Sequence, residues 1–216
     1  MATALARREL TTRRAPWARR LATALRRGRV RPNDVSLASV GFAAAAVVAF
    51  VQSRNAGGLR ALVFVVAAAA IQLRLLCNLL DGMLAVEEGL KTKTGDLYNE
   101  IPDRIADVCI LAGAGYAIPG SAVGPVLGWS AAAAAMFTAY VRVLGGALGV
   151  TQRFTGPMAK QHRMFVLTLA CLLAAGEAIV GHPPRAIPAA LAVIAGGACV
   201  TAARRINRIA GELEAR

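Results

Sequence analysis

Asn78-Leu79-Leu80-Asp81-Gly82-Met83-Leu84-Ala85 and then Gly95-Asp96-Leu97-Tyr98-Asn99-Glu100-Ile101-Pro102-Asp103 decide the reading of this chain. Carboxylates and amides recur in both stretches at helical spacing. At about 100° per residue, Arg74, Asn78, Asp81, Ala85 and Glu88 share one helix face, and Asp96, Asn99, Glu100, Asp103 and Asp107 share another. Both stretches border apolar segments long enough to cross a bilayer. Polar groups at such a border are costly against lipid and are kept for an interior or a site. Two helices joined by a short loop run antiparallel, so the two faces can meet near the loop. They would form a pocket of oxygen donors with Arg74 at its edge. Hard oxygen donors suit Mg²⁺, Mn²⁺ or Ca²⁺ better than zinc. Gly82 and Gly95 remove side chains where a bulky ligand would approach the backbone.

The rest of the composition agrees with a membrane. The 216 residues are 56% hydrophobic, with mean hydropathy +0.53, more apolar than a soluble domain of this size. The apolar residues fall in blocks near the ~20 residues that span a bilayer as a helix. Open strands are excluded, because unpaired backbone groups cannot face lipid. The expected fold class is therefore all-α integral membrane, with spans near 35–51, 59–85, 95–118, 123–147, 164–180 and 186–203. Those six transmembrane helices follow an N-terminal basic amphipathic surface helix. The expected division is a basic juxtamembrane segment, 1–33, and a six-helix membrane domain, 34–216.

Charge sets the orientation. Twenty-one of the 25 Lys and Arg fall on the side holding the N-terminal segment, the Asn78–Asp103 loop, the loop between Arg142 and Arg163, and the C-terminus. Arg54, Arg60 and Arg185 are the three on the other side. This bias predicts both termini and the site in the cytoplasm. The net charge of +13 would suggest nucleic acid in a soluble protein. Here it gathers at membrane edges, where anionic headgroups and nucleotide phosphates are the expected partners; no nucleic-acid motif is present. Cys77, Cys109, Cys171 and Cys199 are scattered through apolar segments without a C-x2-C pair, so neither zinc nor a disulfide framework is indicated.

The order of the polar residues resembles the CDP-alcohol phosphatidyltransferase signature, Asp-x2-Asp-Gly-x2-Ala-Arg, eight or nine residues, then Gly-x3-Asp-x3-Asp. Asn78, Asp81, Gly82 and Ala85 fall on the first half, and Gly95, Asn99 and Asp103 on the second. Every spacing is kept. Asn stands at two of the four acidic positions and Val86 where the Arg belongs. The resemblance implies a phosphotransferase of phospholipid biosynthesis in a membrane, expected to be the bacterial inner membrane. A phosphatidyl group would pass from CDP-diacylglycerol or a related CDP-alcohol to a hydroxyl acceptor, with release of CMP. It implies Mg²⁺ or Mn²⁺ held by Asn78, Asp81, Asn99 and Asp103. Asp103 would also take the acceptor proton, Gly82, Ala85 and Gly95 would line the nucleotide, and the assembly would be a homodimer. Asn ligates a cation through its carbonyl oxygen but carries no charge, so the four positions supply two negative charges. The alternative is a catalytically impaired relative that binds CDP-lipid or headgroups. A small transporter or structural membrane protein is a further class, against which stands the gathering of ionisable groups at one membrane face.

Outside the signature, Arg74 lies one turn before Asn78 and can take over a phosphate contact from the missing Arg. Arg142 closes the fourth span on the same side. Arg153 and Lys160 sit in the following loop, where an Arg fork and a Lys point charge both suit an acceptor phosphate. The alternative for both is anchoring without substrate contact. Ten arginines precede Pro32 and alternate with Leu and Trp, as in a helix lying on a membrane surface, interrupted at Pro16. Asn33, Asp34 or Ser36 is expected to cap the first span. Arg204, Arg205 and Arg208 are expected among headgroups.

Overall fold

The computed structural model describes residues 15–86, 94–120, 122–152 and 156–216; within its helices the side chains of Val86, Asp96, Tyr98 and Asn99 lie outside the description. The described chain is helical throughout: α1 Pro16–Arg27, α2 Pro32–Gln52, α3 Arg60–Val86 after a short 3₁₀ turn at Gly57–Leu59, α4 Gly95–Gly115, α5 Val123–Ala147, α6 Lys160–Ile179 and α7 Ala186–Glu214. Runs of Ala in α2, α3 and α5 combine the highest helix propensity with the absence of polar atoms.

Among the described residues, five helices are long and apolar enough to cross a membrane: Pro32–Gln52, Gly57–Ala85, Val123–Ala147, Lys160–Ile179 and Ala186–Glu214. The protein is an integral membrane protein on this ground. α4 has the length of a span at 21 residues, but Glu100, Asp103, Arg104 and Asp107 keep it out of that apolar set. Outward faces carry Leu62, Val65, Phe137, Tyr140, Leu172, Leu173 and Val193, all exposed. A water-exposed apolar surface of that extent would be unstable, and lipid covers it.

Helix neighbours follow a closed ring, α2–α3–α6–α7–α5–α4 and back to α2. Consecutive α3 and α4 are therefore not a packed hairpin. α2 lies beside both, and α3 meets α4 only locally, across the ring. The interior is mostly Ala, with Ala43, Ala46, Ala67, Ala131, Ala135 and Ala174 buried, so backbones approach closely. The tightest approach joins α4 and α5. A Cβ on Gly128 would stand 2.9 Å from the carbonyl oxygens of Leu111 and Ala112. Gly128→Val is expected to cost about 1–3 kcal/mol by overpacking, read as a lower melting temperature in detergent. An unchanged melt would mean that α4 and α5 separate freely.

Helix termini depart from the sequence reading in instructive ways. Pro16 opens α1 as its first residue after an extended Ala15; the part of the expected surface helix before Ala15 lies outside the described residues. Ring closure at φ near −65° and a missing N–H suit that position. Ala18 and Ala22 of α1 pack against Leu80, Met83 and Leu84 of α3, while Trp17, Arg19, Arg20, Arg26 and Arg27 stay exposed. α2 likewise begins on a proline, Pro32, and Asp34 closes its start by accepting the Arg31 backbone N–H at 3.2 Å. α4 runs through Pro102 without a break in assignment. At the C-terminus the sequence reading holds: the basic residues from Arg204 onward extend the last span as one helix, α7, to Glu214.

Candidate active site

The starts of α2, α4 and α6 and the ends of α3, α5 and α7 share one end of the bundle, joined there by polar contacts. Asp103, on the third turn of α4, is the hub. Its Oδ1 accepts Arg74 Nη2 at 3.0 Å and Asn78 Nδ2 at 2.6 Å, both from α3. Its Oδ2 accepts the ammonium of Lys160, the first residue of α6. Arg104 Nη2 lies 3.6 Å from the same oxygen. Arg74 also donates to the Asp103 carbonyl at 3.0 Å and stands 2.8 Å from Asp107 Oδ1, one turn deeper in α4. Asp107 Oδ2 accepts Arg163 Nη2 at 3.0 Å. Arg163 is in turn held by the Met158 carbonyl. Arg74 and Arg163 are fully enclosed, so their charges are tolerable only because Asp103 and Asp107 face them.

Asp81 sits apart from this web. Its Oδ2 accepts the Ser36 hydroxyl of α2 at 2.5 Å, and its buried Oδ1 has no side-chain partner. Ser36 thus braces a site carboxylate instead of capping its own helix. A buried carboxylate oxygen without a partner costs roughly 1–3 kcal/mol or more, so a cation or donor there would be stabilising.

A second group of cations lines the rim. Arg142 grips both oxygens of Glu100 at 2.8 and 2.9 Å and donates to Gln152 at 3.2 Å. Arg205 is buried and donates to the Thr138 carbonyl at 2.7 Å. Arg142, Thr151, Gln152, Arg205, Arg208 and Ile209 surround a small, open depression at the surface. Sequence reasoning placed Arg205 and Arg208 among headgroups, but they turn inward to this pocket. Their spacing of three on α7 was the available signal, because it puts them on one face.

The structure brings Arg74, Asn78, Asp81, Asp103 and Lys160 together, with Arg142 at the rim pocket. Gly82 is buried and Ala85 half-buried on the last turns of α3, below Asp81. Gly95 opens α4, with Thr94 before it, so Asp96 follows the cap instead of being it. Asn99 is on α4, with its side chain outside the description, and Arg153 lies outside the described residues.

The donor atoms decide whether a divalent cation fits. Asp81 Oδ1 is an unpaired hard oxygen, and Asn78, by giving its Nδ2 to Asp103, keeps its amide oxygen for another partner. These suit one Mg²⁺ or Mn²⁺ beside Asp103. Among the described residues no group of three His, Cys, Asp or Glu forms a ready metal cage.

No protein-family model matches the sequence, and no curated protein matches it. Solved structures do. The chain is similar to Mycobacterium tuberculosis phosphatidylinositol phosphate synthase with CDP-DAG bound, at a TM-score of 0.74 and 18% identity, over 90% of this chain and 94% of that one. A structure of the same synthase with manganese and citrate gives 0.74 and 18%, over 89% and 88%. Its apo form gives 0.70 and 18%, over 87% and 93%. At that identity the likeness establishes the fold: this chain folds as the mycobacterial synthase does, over nearly the whole length of both.

Proposed function

We propose that this protein transfers a phosphatidyl or similar phospho-alcohol group from CDP-diacylglycerol, or a related CDP-alcohol, to a hydroxyl acceptor and releases CMP. The observation that carries this reading is the convergence of Asp81, Asn78 and Asp103 from α3 and α4 at one membrane face, on the fold of an enzyme captured with CDP-DAG. The crowding of Lys and Arg on that face supports a cytoplasmic site in a bacterial inner membrane, with α4 crossing as the sixth span.

In this reading Asp81 and Asn78, with Asp103 beside them, hold Mg²⁺ or Mn²⁺; the manganese-bound relative supports a divalent ion. The ion would offset charge on the pyrophosphate. The chain's own residues do the rest. Gly82 and Gly95 leave room for the nucleotide along the ends of α3 and α4. Asp103 Oδ2 takes the acceptor proton as the hydroxyl attacks phosphorus, and the phosphorus–oxygen bond to CMP breaks. Arg74 and Asn78 fix the rotamer of that carboxylate through its other oxygen.

The rim pocket supports an acceptor that itself bears a phosphate. Arg142, Arg205 and Arg208 gather their guanidiniums at this pocket, where a phosphate dianion would compete with Glu100 for Arg142 and with Glu212, bonded at 2.6 and 2.8 Å, for Arg208. The test uses purified protein in detergent with CDP-diacylglycerol, Mg²⁺ or Mn²⁺, and a panel of phosphorylated and unphosphorylated polyols, reading CMP. CMP release is expected with phosphorylated acceptors. Arg208→Gln is expected to raise KM for such an acceptor about tenfold, a charged hydrogen bond being worth about 1.5–3 kcal/mol, with kcat nearly kept. No CMP with any acceptor would end the reading; equal use of the unphosphorylated polyols would remove the pocket from it.

A further inference from the structure

The buried cluster is already supplied with cations before any metal arrives. Among the described side chains, Asp81, Asp103 and Asp107 carry the negative charge and face Arg74, Arg163 and Lys160, with Arg104 Nη2 a further cation 3.6 Å from Asp103 Oδ2. The charge is not evenly spread. Asp103 has a cation on each oxygen, whereas no cation among the described residues is paired with Asp81, whose Oδ2 takes the Ser36 hydroxyl. A divalent ion seated between Asp81 and Asp103 would add two charges to a largely desolvated group already supplied with cations. Asn at 78 and 99 brings no carboxylate to absorb them. At close range in a medium of low effective dielectric, that repulsion is large.

We propose that Lys160 is a resident cation on Asp103 which a divalent ion displaces on binding, so that metal and ammonium exchange at one carboxylate oxygen. The inference rests on the phosphotransfer reading for the identity of the ion. Three features single out Lys160 as the group that yields. The side chains of Arg74 and Arg163 are 0% and 2% exposed, while that of Lys160 is 23% exposed. Arg74 is pinned to two carboxylates and a carbonyl. Lys160 has a single carboxylate partner, on a flexible stem at the first position of α6, just after Pro157 and the extended Ala159. Once released, the ammonium remains at the same membrane face as the incoming pyrophosphate, so one swing both removes the hydrogen-bonded cation from Asp103 Oδ2, leaving Arg104 Nη2 3.6 Å away, and delivers a cation toward phosphate.

The experiment compares Mn²⁺ binding to the full chain in detergent, by loss of the free-ion paramagnetic resonance signal, for wild type, Lys160→Met and Lys160→Arg. Lys160→Met is expected to bind Mn²⁺ at least about tenfold more tightly, because no ammonium must leave. Lys160→Arg is expected to bind no more tightly than wild type. Saturating Mn²⁺ is also expected to raise acylation of the Lys160 amine in wild type several-fold, read by mass spectrometry. Where Lys160→Met is not recovered folded, Lys160→Gln makes the same comparison. Unchanged or weaker Mn²⁺ binding by the neutral variant, uptake of Mn²⁺ by neither protein, or protection of the amine by Mn²⁺ overturns the exchange. CMP release is assayed separately: its absence in wild type ends the phosphotransfer reading and leaves the Mn²⁺ comparison intact.

Discussion

Asp103→Asn is expected to lower CMP release by about 10²–10⁴-fold, read on protein recovered folded in detergent. The amide preserves the shape of the side chain and can still present an oxygen to Arg74 and Asn78. It cannot accept a proton from an attacking hydroxyl, and its NH₂ faces the Lys160 ammonium that the carboxylate formerly held. Asp81→Asn is expected to be as inactive for a different reason. It removes an anionic oxygen that has no hydrogen-bond partner or paired cation among the described residues and leaves Ser36 a neutral partner. The two variants separate by metal: Asp81→Asn loses Mn²⁺ binding outright, whereas Asp103→Asn keeps a residual part of it. Turnover by either variant near the wild-type rate would remove these carboxylates from the chemistry.

Arg74→Met is the counterpart in stability. The side chain is wholly buried, pairs with Asp103 and Asp107, and caps the Asp103 carbonyl. Removing one member of a buried ion network leaves uncompensated charge, at a cost of about 3–5 kcal/mol. The expected result is a large fall in melting temperature in detergent and poor recovery from the membrane. Arg74→Met with Asp107→Asn should recover a good part of the loss, because the deeper carboxylate is then neutral. Failure of the second change to help would mean that Arg74 serves packing alone. Arg74→Lys is expected to be intermediate, since a point charge cannot reach both carboxylates as the guanidinium does.

Much of this was legible in the residues. Helical spacing put Asn78 and Asp81 on one face and Asp103 and Asp107 on another, and apolar blocks marked α5 to within its observed bounds. What the sequence could not give is which helix lies between which. The pattern suggested a simple α3–α4 hairpin, but α2 separates them along most of their length. Periodicity reports faces, not neighbours. Arg205 was misplaced for a related reason: an arginine near a helix end reads as an interfacial anchor unless a partner carbonyl, here that of Thr138 on α5, is known. Ser36 read as a cap because the local alternative is always visible in sequence, whereas its bond to Asp81 spans 45 positions.

The inward set of charges on α4 also bears on how the molecule is made. Asp and Arg near the middle of a helix each disfavour entry into a bilayer by up to about 2.5–3.5 kcal/mol. α4 therefore enters lipid poorly as an isolated segment, and its compensating cations arrive at different times during synthesis. Arg74 precedes it, whereas Lys160 and Arg163 follow on α6. On the proposed function, in which α4 crosses as the sixth span and carries the proposed base, that helix is secured late, by segments translated after it, and assembly of the site coincides with completion of membrane integration.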